Sequence, residues 1–216
     1  MSNWLTSDLH FGHTNIIAYT SRPYVDVEQM NDDLVRRWNE KVTPNDEVWV
    51  LGDVCLGRLE ISLMWVEQLN GIKFLVPGNH DRMFRCHGTK YLHACQKYLA
   101  AGFLDILDPE ITLLIPGRKV IACHFPYAGD PKDGHEDRFQ WYRPADKGGY
   151  LVHGHTHGQW RRNGRMIDVG VDAWGGYPVS ISEVAELFAS GNVNATPLVW
   201  EREEAPAPAE AETGAR

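Results

Sequence analysis

The chain has 216 residues, of which 43% are hydrophobic, 29 are acidic and 21 are basic. This length allows one domain with a sizeable core, which excludes a scaffold that depends on disulfides. The net charge of −8 argues against charge-driven binding to nucleic acid or to an anionic membrane, because both need a basic surface. We therefore expect no stable nucleic-acid or membrane partner. A phosphate-bearing ligand would need another source of positive charge.

The cysteines and the N-terminus point to one compartment. The four cysteines lie at positions 55, 86, 95 and 123 and form no C-x-x-C pair, which is typical of reduced thiols. Residues 1–10 have neither the basic nor the apolar region of a signal peptide, and no apolar run is long enough to span a bilayer. These features predict a cytoplasmic protein.

The composition changes near the C-terminus. Residues 201–216 read EREEAPAPAEAETGAR and contain no large apolar side chain. Such a segment cannot bury enough surface to offset the entropy of ordering it. We expect one domain over residues 1–200, followed by a disordered acidic tail rich in alanine and proline over 201–216.

Short apolar runs and helical patterns alternate along the domain. Strands are predicted at 3–6, 47–51, 73–76, 111–115, 119–123, 150–153 and 166–169. Helices are predicted from about residue 27 to 42, at 59–69, at 89–101 and at 182–189. In the first helix, Met30, Leu34 and Trp38 recur at every fourth position and are assigned to the core. The alternation favours an α/β domain with helices packed on sheet faces.

Polar clusters follow most of the predicted strands. They are Asp8-Leu9-His10, Gly52-Asp53, Gly78-Asn79-His80-Asp81, His124 and Gly154-His155-Thr156-His157. In α/β sheets, ligands bind beyond the carboxyl ends of the strands, so we expect these clusters to converge on one site.

The residue types in these clusters suit divalent cations. The clusters contain carboxylates, an amide oxygen and imidazoles, with no set of thiolates nearby. These ligands suit Mn, Fe, Zn or Ni better than they suit a structural zinc site bound by thiolates. Seven potential ligands are too many for one tetrahedral ion. They are enough for two ions that share a bridging carboxylate and leave positions open for water and substrate.

The series D-x-H, G-D, G-N-H-D, H and G-H-x-H, in this order from Asp8 to His157, resembles the calcineurin-like metallophosphoesterase superfamily. The segments S-D-L-H-F-G-H-x-N-I-I near the start and D-V-G-V-D-x-W at 168–174 are similar to small stand-alone bacterial and phage members. The resemblance implies a four-layer α/β/β/α sandwich with two mixed β-sheets.

The resemblance also implies a role for each motif residue. One metal ion would be held by Asp8, His10, Asp53 and His157, and the other by Asp53, Asn79, His124 and His155. Mn²⁺ is the favoured ion, with Fe, Zn or Ni as alternatives. A hydroxide between the ions would attack the phosphorus, while His80 stabilises the transition state or protonates the leaving oxygen. Asp81 would orient the His80 ring.

The segment 125–149 lies between two of the expected ligands and is long and polar. Loops of this kind are often functional where they border a site. The candidates for base stacking and phosphate contacts are Tyr127, Arg138, Trp141, Tyr142 and Arg143. The alternative is a surface loop whose aromatic side chains pack against the domain. His13 and His153 lie near the motifs and are assigned to packing around the site.

The resemblance thus implies a dinuclear phosphodiesterase acting on small nucleotides, and the likeness to compact stand-alone members favours 2′,3′-cyclic nucleotides over 3′,5′-cyclic ones. A phosphomonoesterase and a nucleic-acid-processing phosphoesterase remain alternatives. Protein phosphatases of the superfamily carry G-D-x-x-D-R-G, and the stretch from Gly52 to Arg58 lacks that second aspartate. A non-enzymatic scaffold is a further alternative, although this chain has lost none of the motif positions.

Overall fold

The computed structural model describes residues 2–84, 91–130 and 137–200. The strands are β1 (Asn3–Thr6), β2 (Glu47–Val50), β3 (Ile72–Leu75), β4 (Phe103–Ile106), β5 (Glu110–Ile115), β6 (Arg118–Cys123), β7 (Tyr150–His153), β8 (Arg162–Asn163), β9 (Met166–Asp168), β10 (Val179–Ser180) and β11 (Asn194–Ala195). The helices are α1 (Thr14–Tyr19), α2 (Val27–Lys41), α3 (Leu59–Val66), α4 (Tyr91–Ala100) and α5 (Ile181–Ala189). The tail at 201–216, predicted to be disordered, lies outside the described residues, as do the first two residues of the helix predicted at 89–101.

The strands form two mixed sheets. The first has the order β10-β1-β2-β3-β4, in which β1 to β4 are parallel and β10 is antiparallel. The second has the order β11-β8-β9-β7-β6-β5, with β6, β7 and β9 parallel. A parallel bridge between Ser7 and Gly170 links the ends of β1 and β9. The carboxyl ends of the parallel strands of both sheets therefore meet along one line, which we call the seam.

Helices α2, α3 and α4 cover the outer face of the first sheet. Helix α2 begins at Asp26, whose side chain accepts a hydrogen bond from the Gln29 amide at 2.8 Å. Its buried stripe is the predicted one, and Met30, Leu34 and Trp38 are each at most 1% exposed. These side chains pack with alternate residues of β2 and β3, since the pleat of a strand directs every second side chain to the same face.

The α2 stripe gives a prediction for stability. We expect Leu34→Ala to lower the free energy of unfolding by about 2–5 kcal/mol, because it leaves a cavity in a packed core. The matched control is Leu92→Ala on α4, where the leucine is 73% exposed and the expected change is within about 0.5 kcal/mol. Chemical denaturation measures both variants. Equal losses would contradict this assignment of the core.

A second core lies between the two sheets, and a third covers the outer face of the second sheet. Leu5 and Val76 of the first sheet meet Val120 and Val152 of the second, and Phe188 of α5 packs into the same cluster. On the other face of β6 and β7, Cys123 and Leu151 pack with Phe84 and Phe125, joined by partly buried Tyr127 and Phe139. The structure confirms the predicted mixed α/β fold with two mixed sheets.

The elements missed from the sequence are the short ones. Strands β8, β10 and β11 have two residues each, β4 buries only Phe103, and α1 buries only Ile16. Elements this short carry too few apolar positions to show a period. Among the described residues, no helix is long and apolar enough to cross a membrane.

Candidate metal centre

The predicted ligands come together at the seam between the two sheets. Each follows the carboxyl end of a strand: Asp8 and His10 after β1, Asp53 after β2, Asn79 after β3, His124 after β6, and His155 and His157 after β7. All but His157 are buried, and Asp8, Asp53 and His124 are at most 1% exposed. Parallel strands end on the same edge of a sheet, which explains how motifs so distant in sequence share one site.

The backbone at this seam is strained. Seven non-glycine residues of the described chain have φ in the left-handed region, and five of them are predicted ligands: Asp8 at 59°, His10 at 53°, Asp53 at 54°, His155 at 70° and His157 at 47°. Such conformations cost about 1–3 kcal/mol each and persist only where the surroundings fix them. The amides of Asp8 and His10 donate to the carbonyls of Gly52 and Asp53 at 3.1 and 3.0 Å, which holds the first two motifs together.

Two glycines allow the motifs to approach one another. A Cβ on Gly154 would lie 2.0 Å from the Ser7 hydroxyl and 2.4 Å from the Asp8 carboxylate. Gly52, at φ 86°, could carry a Cβ only 2.4 Å from the Gly78 amide. Neither position has room for a side chain, so both glycines are required by the packing of the site as well as by its turns.

Asp53 lies at the centre of the cluster. Its Oδ1 accepts a hydrogen bond from the His80 amide at 2.8 Å. Its Oδ2 is approached by the Nε2 atoms of three rings, at 3.4 Å from His124, 3.7 Å from His10 and 3.9 Å from His80. Burial alone would raise the pKa of Asp53, but the charge of the nearby His124 ring holds it well below its usual value. Asp53 is therefore a buried, ionised carboxylate surrounded by imidazoles.

Three buried polar atoms at the centre have no hydrogen-bond partner among the described residues. They are Asp8 Oδ1 and both ring nitrogens of His10. Burial lowers the pKa of His10 well below its usual value, so its ring is neutral and can offer a lone pair. Unpaired buried groups are costly, and a cation bound by these atoms would remove that cost.

The distances between possible ligand atoms fit divalent cations. Asp8, His10 and His157 place ligand atoms within 4.8 Å of one another, and so do Asp8, Asp53 and His124. Oxygen and imidazole nitrogen donors of this kind match first-row divalent metals. Asp8 thus belongs to both groups, whereas the resemblance assigns it to the first ion alone.

The other three predicted histidine ligands, His124, His155 and His157, each have at least one ring nitrogen engaged with a hydrogen-bond partner. His124 Nδ1 lies 2.8 Å from the Leu51 carbonyl, and its Nε2 lies 3.1 Å from Asn79 Oδ1. His155 Nε2 lies 2.8 Å from the Asp130 carboxylate. His157 Nδ1 lies 3.0 Å from the Asp172 carboxylate. Partners of this kind orient metal-ligating rings and fix their tautomers.

His80 lies in an open cleft next to these groups. Its side chain is 41% exposed, and its ring centroid is 5.4 Å from that of His10 and 6.5 Å from that of His13. It is far more accessible than the His10 and His124 rings, whose side chains are 1% and 0% exposed. A residue in this position can contact a substrate.

Asp81 is placed differently from the sequence-based expectation that it orients the His80 ring. Its carboxylate accepts hydrogen bonds from the amides of Asp53 and Gly78, both at 2.8 Å, and from the Tyr98 hydroxyl at 3.2 Å. None of the hydrogen bonds among the described residues joins it to the His80 ring. Burial raises the pKa of Asp81 to about 7. Asp81 therefore links the second motif to the third. Its carboxylate binds the backbone amides that surround it and not the ring of its sequence neighbour His80.

The cleft has a volume of about 610 Å³ and is lined by predicted ligands together with His13, Tyr19, Arg138, Phe139 and Gln159. Of the five residues predicted to bind substrate, it includes Arg138. The other four lie elsewhere, with Tyr127 in the outer-face cluster, Trp141 at 96% exposure, Tyr142 packed on Phe84 with ring centroids 4.9 Å apart, and Arg143 donating to the Pro126 carbonyl. Phe139 stands at φ 57°, a strained conformation for an aromatic residue.

Four residues around the centre were not identified from the sequence: Arg22, Asp130, Asp168 and Asp172. Asp168 accepts hydrogen bonds from the Thr156 hydroxyl at 2.6 Å and the Gly170 amide at 2.7 Å, which holds the turn carrying His155. Burial raises the pKa of Asp168 to about 6. The D-V-G-V-D-x-W segment could have identified Asp168 and Asp172 from the sequence. Arg22 and Asp130 lie in none of the recognised motifs.

Known proteins resemble this chain in sequence and in fold. A family model described as calcineurin-like phosphoesterase matches residues 1–174. The Gene 66 protein of Mycobacterium phage D29 is 36% identical over 201 residues, covering 87% of this chain and 96% of that protein. The Gene 66 protein of Mycobacterium phage L5 is 33% identical over 205 residues, covering 87% and 94%. The solved structure of the protein of unknown function AQ665 from Aquifex aeolicus has a TM-score of 0.62 at 23% identity, covering 86% of this chain and 98% of that one.

Proposed function

The chain belongs to the calcineurin-like phosphoesterase family, whose members hydrolyse phosphoric esters with divalent metal ions, and on that basis we propose that it is a dinuclear phosphodiesterase of small nucleotides. The observation that carries the proposal is the convergence of seven ligand-type side chains on one cleft, with unpaired buried donor atoms at its floor. The cleft volume lies within the usual range for small-ligand sites.

We assign the predicted ligands to two ions, with Mn²⁺ favoured. Asp8, His10, Asp53 and His157 would hold one, and Asp53, Asn79, His124 and His155 the other. When bound, such a pair of cations lowers the pKa of a water, neutralises charge on the phosphoryl oxygens and aligns the attack. Local cations also explain how a chain of net charge −8 can attract a phosphate.

Side chains next to the proposed ions would supply a proton donor and a contact for the substrate. His80 is positioned to donate a proton to the leaving oxygen, since its ring is accessible from the cleft and adjacent to Asp53. Bound cations would favour the ionised form of Asp53 and of Asp8, and at Asp8 they would oppose burial, which raises its pKa. Arg138, whose side chain is 46% exposed in the cleft, can contact a phosphate oxygen as the substrate enters.

A small diester fits this cleft better than a long polynucleotide. Among the described residues that line the cleft, Arg138 is the one arginine or lysine, whereas a nucleic-acid backbone requires a row of cations. Among small diesters we favour 2′,3′-cyclic nucleotides, then 3′,5′-cyclic nucleotides, as expected for a compact stand-alone member of the family.

The substrate panel that tests the proposal contains bis- and mono-nitrophenyl phosphates and cyclic nucleotides, each assayed with Mn²⁺, Zn²⁺, Ni²⁺ and Mg²⁺. We expect diesters to be hydrolysed faster than monoesters, and Mn²⁺ to support the highest rate. Faster hydrolysis of the monoester would indicate a phosphomonoesterase instead. Metal-loaded protein that hydrolyses neither class would point to a non-enzymatic scaffold.

Arg138 gives a prediction about substrate binding. We expect Arg138→Ala to raise KM for a cyclic nucleotide by about 10–150-fold, because one charge-assisted contact of roughly 1.5–3 kcal/mol is lost. The matched control is Arg165→Ala, since Arg165 pairs with Asp146 on the surface and does not line the cleft. Steady-state kinetics at saturating Mn²⁺ measure both. An unchanged KM in the Arg138 variant would remove this residue from the substrate site.

A further inference from the structure

Two neighbouring histidines of the last motif use opposite ring nitrogens for their hydrogen bonds to a carboxylate. The His157 ring is bonded through Nδ1 to Asp172, and the His155 ring through Nε2 to Asp130. A carboxylate can only accept, so the bonded nitrogen of each ring carries the proton. In the neutral ring, as a metal ligand must be, the lone pair is therefore on Nε2 of His157 and on Nδ1 of His155. Two ligands two residues apart can in this way serve two different ions.

The carboxylate behind His157 is held by a buried arginine. Arg22 Nε and Nη2 donate to the two oxygens of Asp172, both at 2.9 Å, and its side chain is fully buried. The same guanidinium donates to the carbonyls of Asp8 at 2.7 Å and Leu9 at 3.1 Å. Arg22 thus fixes the strained backbone at Asp8 and, through Asp172, the His157 ring. Both of these are predicted ligands of the same ion.

The carboxylate behind His155 is held by a second arginine, on a different part of the chain. Arg138 donates to both oxygens of Asp130, at 2.7 and 2.9 Å, and Arg143 lies 3.7 Å from the same group. Asp130 follows β6 and His124, the other predicted histidine ligand of the second ion. Unlike Arg22, Arg138 is exposed in the cleft. The two arrangements share no residue among these contacts.

We propose that Asp172 with Arg22, and Asp130 with Arg138, are two independent sets of positioning residues, each serving one metal position. The Asp172 set serves the ion of Asp8, His10 and His157, and the Asp130 set serves the ion of His124 and His155. The inference rests on the dinuclear centre of the proposed function. It adds that each carboxylate selects which nitrogen its histidine offers, and that loss of one set weakens one ion only.

Metal binding by the full-length protein tests this. Metal-free wild type is titrated with Mn²⁺ by calorimetry beside Asp130→Ala and the double variant Arg22→Met/Asp172→Ala, which removes both buried charges so that no unpaired ion is left in the interior. We expect each of the two variants to lower the affinity for one of the two ions by about 10–100-fold and to change the affinity for the other by less than about threefold. The control is Asp146→Ala, an exposed carboxylate paired with Arg165, which should change neither.

Double-mutant cycles identify which ion is affected. Asp130→Ala should be strongly non-additive with His155→Ala and additive with His157→Ala, and the Arg22/Asp172 variant should show the reverse. In the Zn²⁺-loaded wild type, ring ¹⁵N spectra should place the proton on Nε2 of His155 and on Nδ1 of His157. Far-ultraviolet circular dichroism of each metal-free variant confirms that it is folded.

The outcomes separate the inference from the function it rests on. Variants that weaken both ions equally, or neither, would overturn the inference, as would protons on the same nitrogen of both rings. Wild type that binds fewer than two ions would overturn the inference together with the dinuclear centre. Two ions bound, each lost with its own set, would support the inference even if cyclic nucleotides were not hydrolysed, in which case the proposed function alone would fail.

Discussion

Asp53→Ala is expected to abolish metal binding and phosphodiesterase activity together. Asp53 Oδ2 is the atom that three histidine rings approach within 3.9 Å, and its carboxylate is the proposed bridge between both ions. Removing it leaves each ion without a ligand that the two would share. We expect kcat/KM to fall by more than about 10³-fold, beyond the loss of a single electrostatic contact. Metal content after dialysis and steady-state kinetics measure the two effects.

The control for Asp53→Ala is Asp32→Ala, which removes an exposed aspartate from the solvent side of α2. It should keep two ions and full activity. An Asp53 variant that retained both ions and lost only activity would show that Asp53 acts on the substrate. A variant that retained activity would remove it from the site.

His80→Ala is expected to lower kcat by about 10²–10⁴-fold while both ions stay bound, because general acid catalysis has effects of this size. The loss should depend on the leaving group. A nitrophenolate leaves readily without a proton, whereas the ribose alkoxide of a cyclic nucleotide does not. The variant should therefore be impaired less with bis-nitrophenyl phosphate than with a 2′,3′-cyclic nucleotide.

The control for His80→Ala is His93→Ala, since His93 is exposed on α4 and does not line the cleft. Its rates should match those of the wild type with both substrates. Loss of a metal ion in the His80 variant would make His80 a ligand. Equal impairment with both leaving groups would indicate that it stabilises charge on the phosphoryl group without donating a proton.

The convergence of the candidate ligands could be predicted from the sequence because they lie in local motifs at strand ends. Asp8 and His10 lie two positions apart in one turn, and so do His155 and His157. Their convergence followed from a general property of parallel strands, and β1, β2, β6 and β7 were recognisable from their apolar runs. The boundaries of these strands agree with the predictions to within one residue.

The supporting residues could not be predicted because their contacts are long-range. Arg22 and Asp172 are 150 positions apart, and nothing in the sequence around either one names the other. Asp130 lies in the loop whose aromatic residues were predicted to bind substrate. Its carboxylate instead contacts the His155 ring. Asp81 was assigned to its sequence neighbour, whereas its oxygens are taken by backbone amides of two other motifs. Only the packed fold determines such pairings.

The proposed function requires two divalent cations per chain at this cluster for phosphodiester hydrolysis. Its most direct test is to titrate the metal-free full-length protein with Mn²⁺ while bound metal and hydrolysis of bis-nitrophenyl phosphate are measured on the same samples. We predict that hydrolysis rises to its maximum as the second ion binds and that Asp53→Ala shows neither binding nor hydrolysis. Full activity with one ion per chain, or with none, would contradict the account.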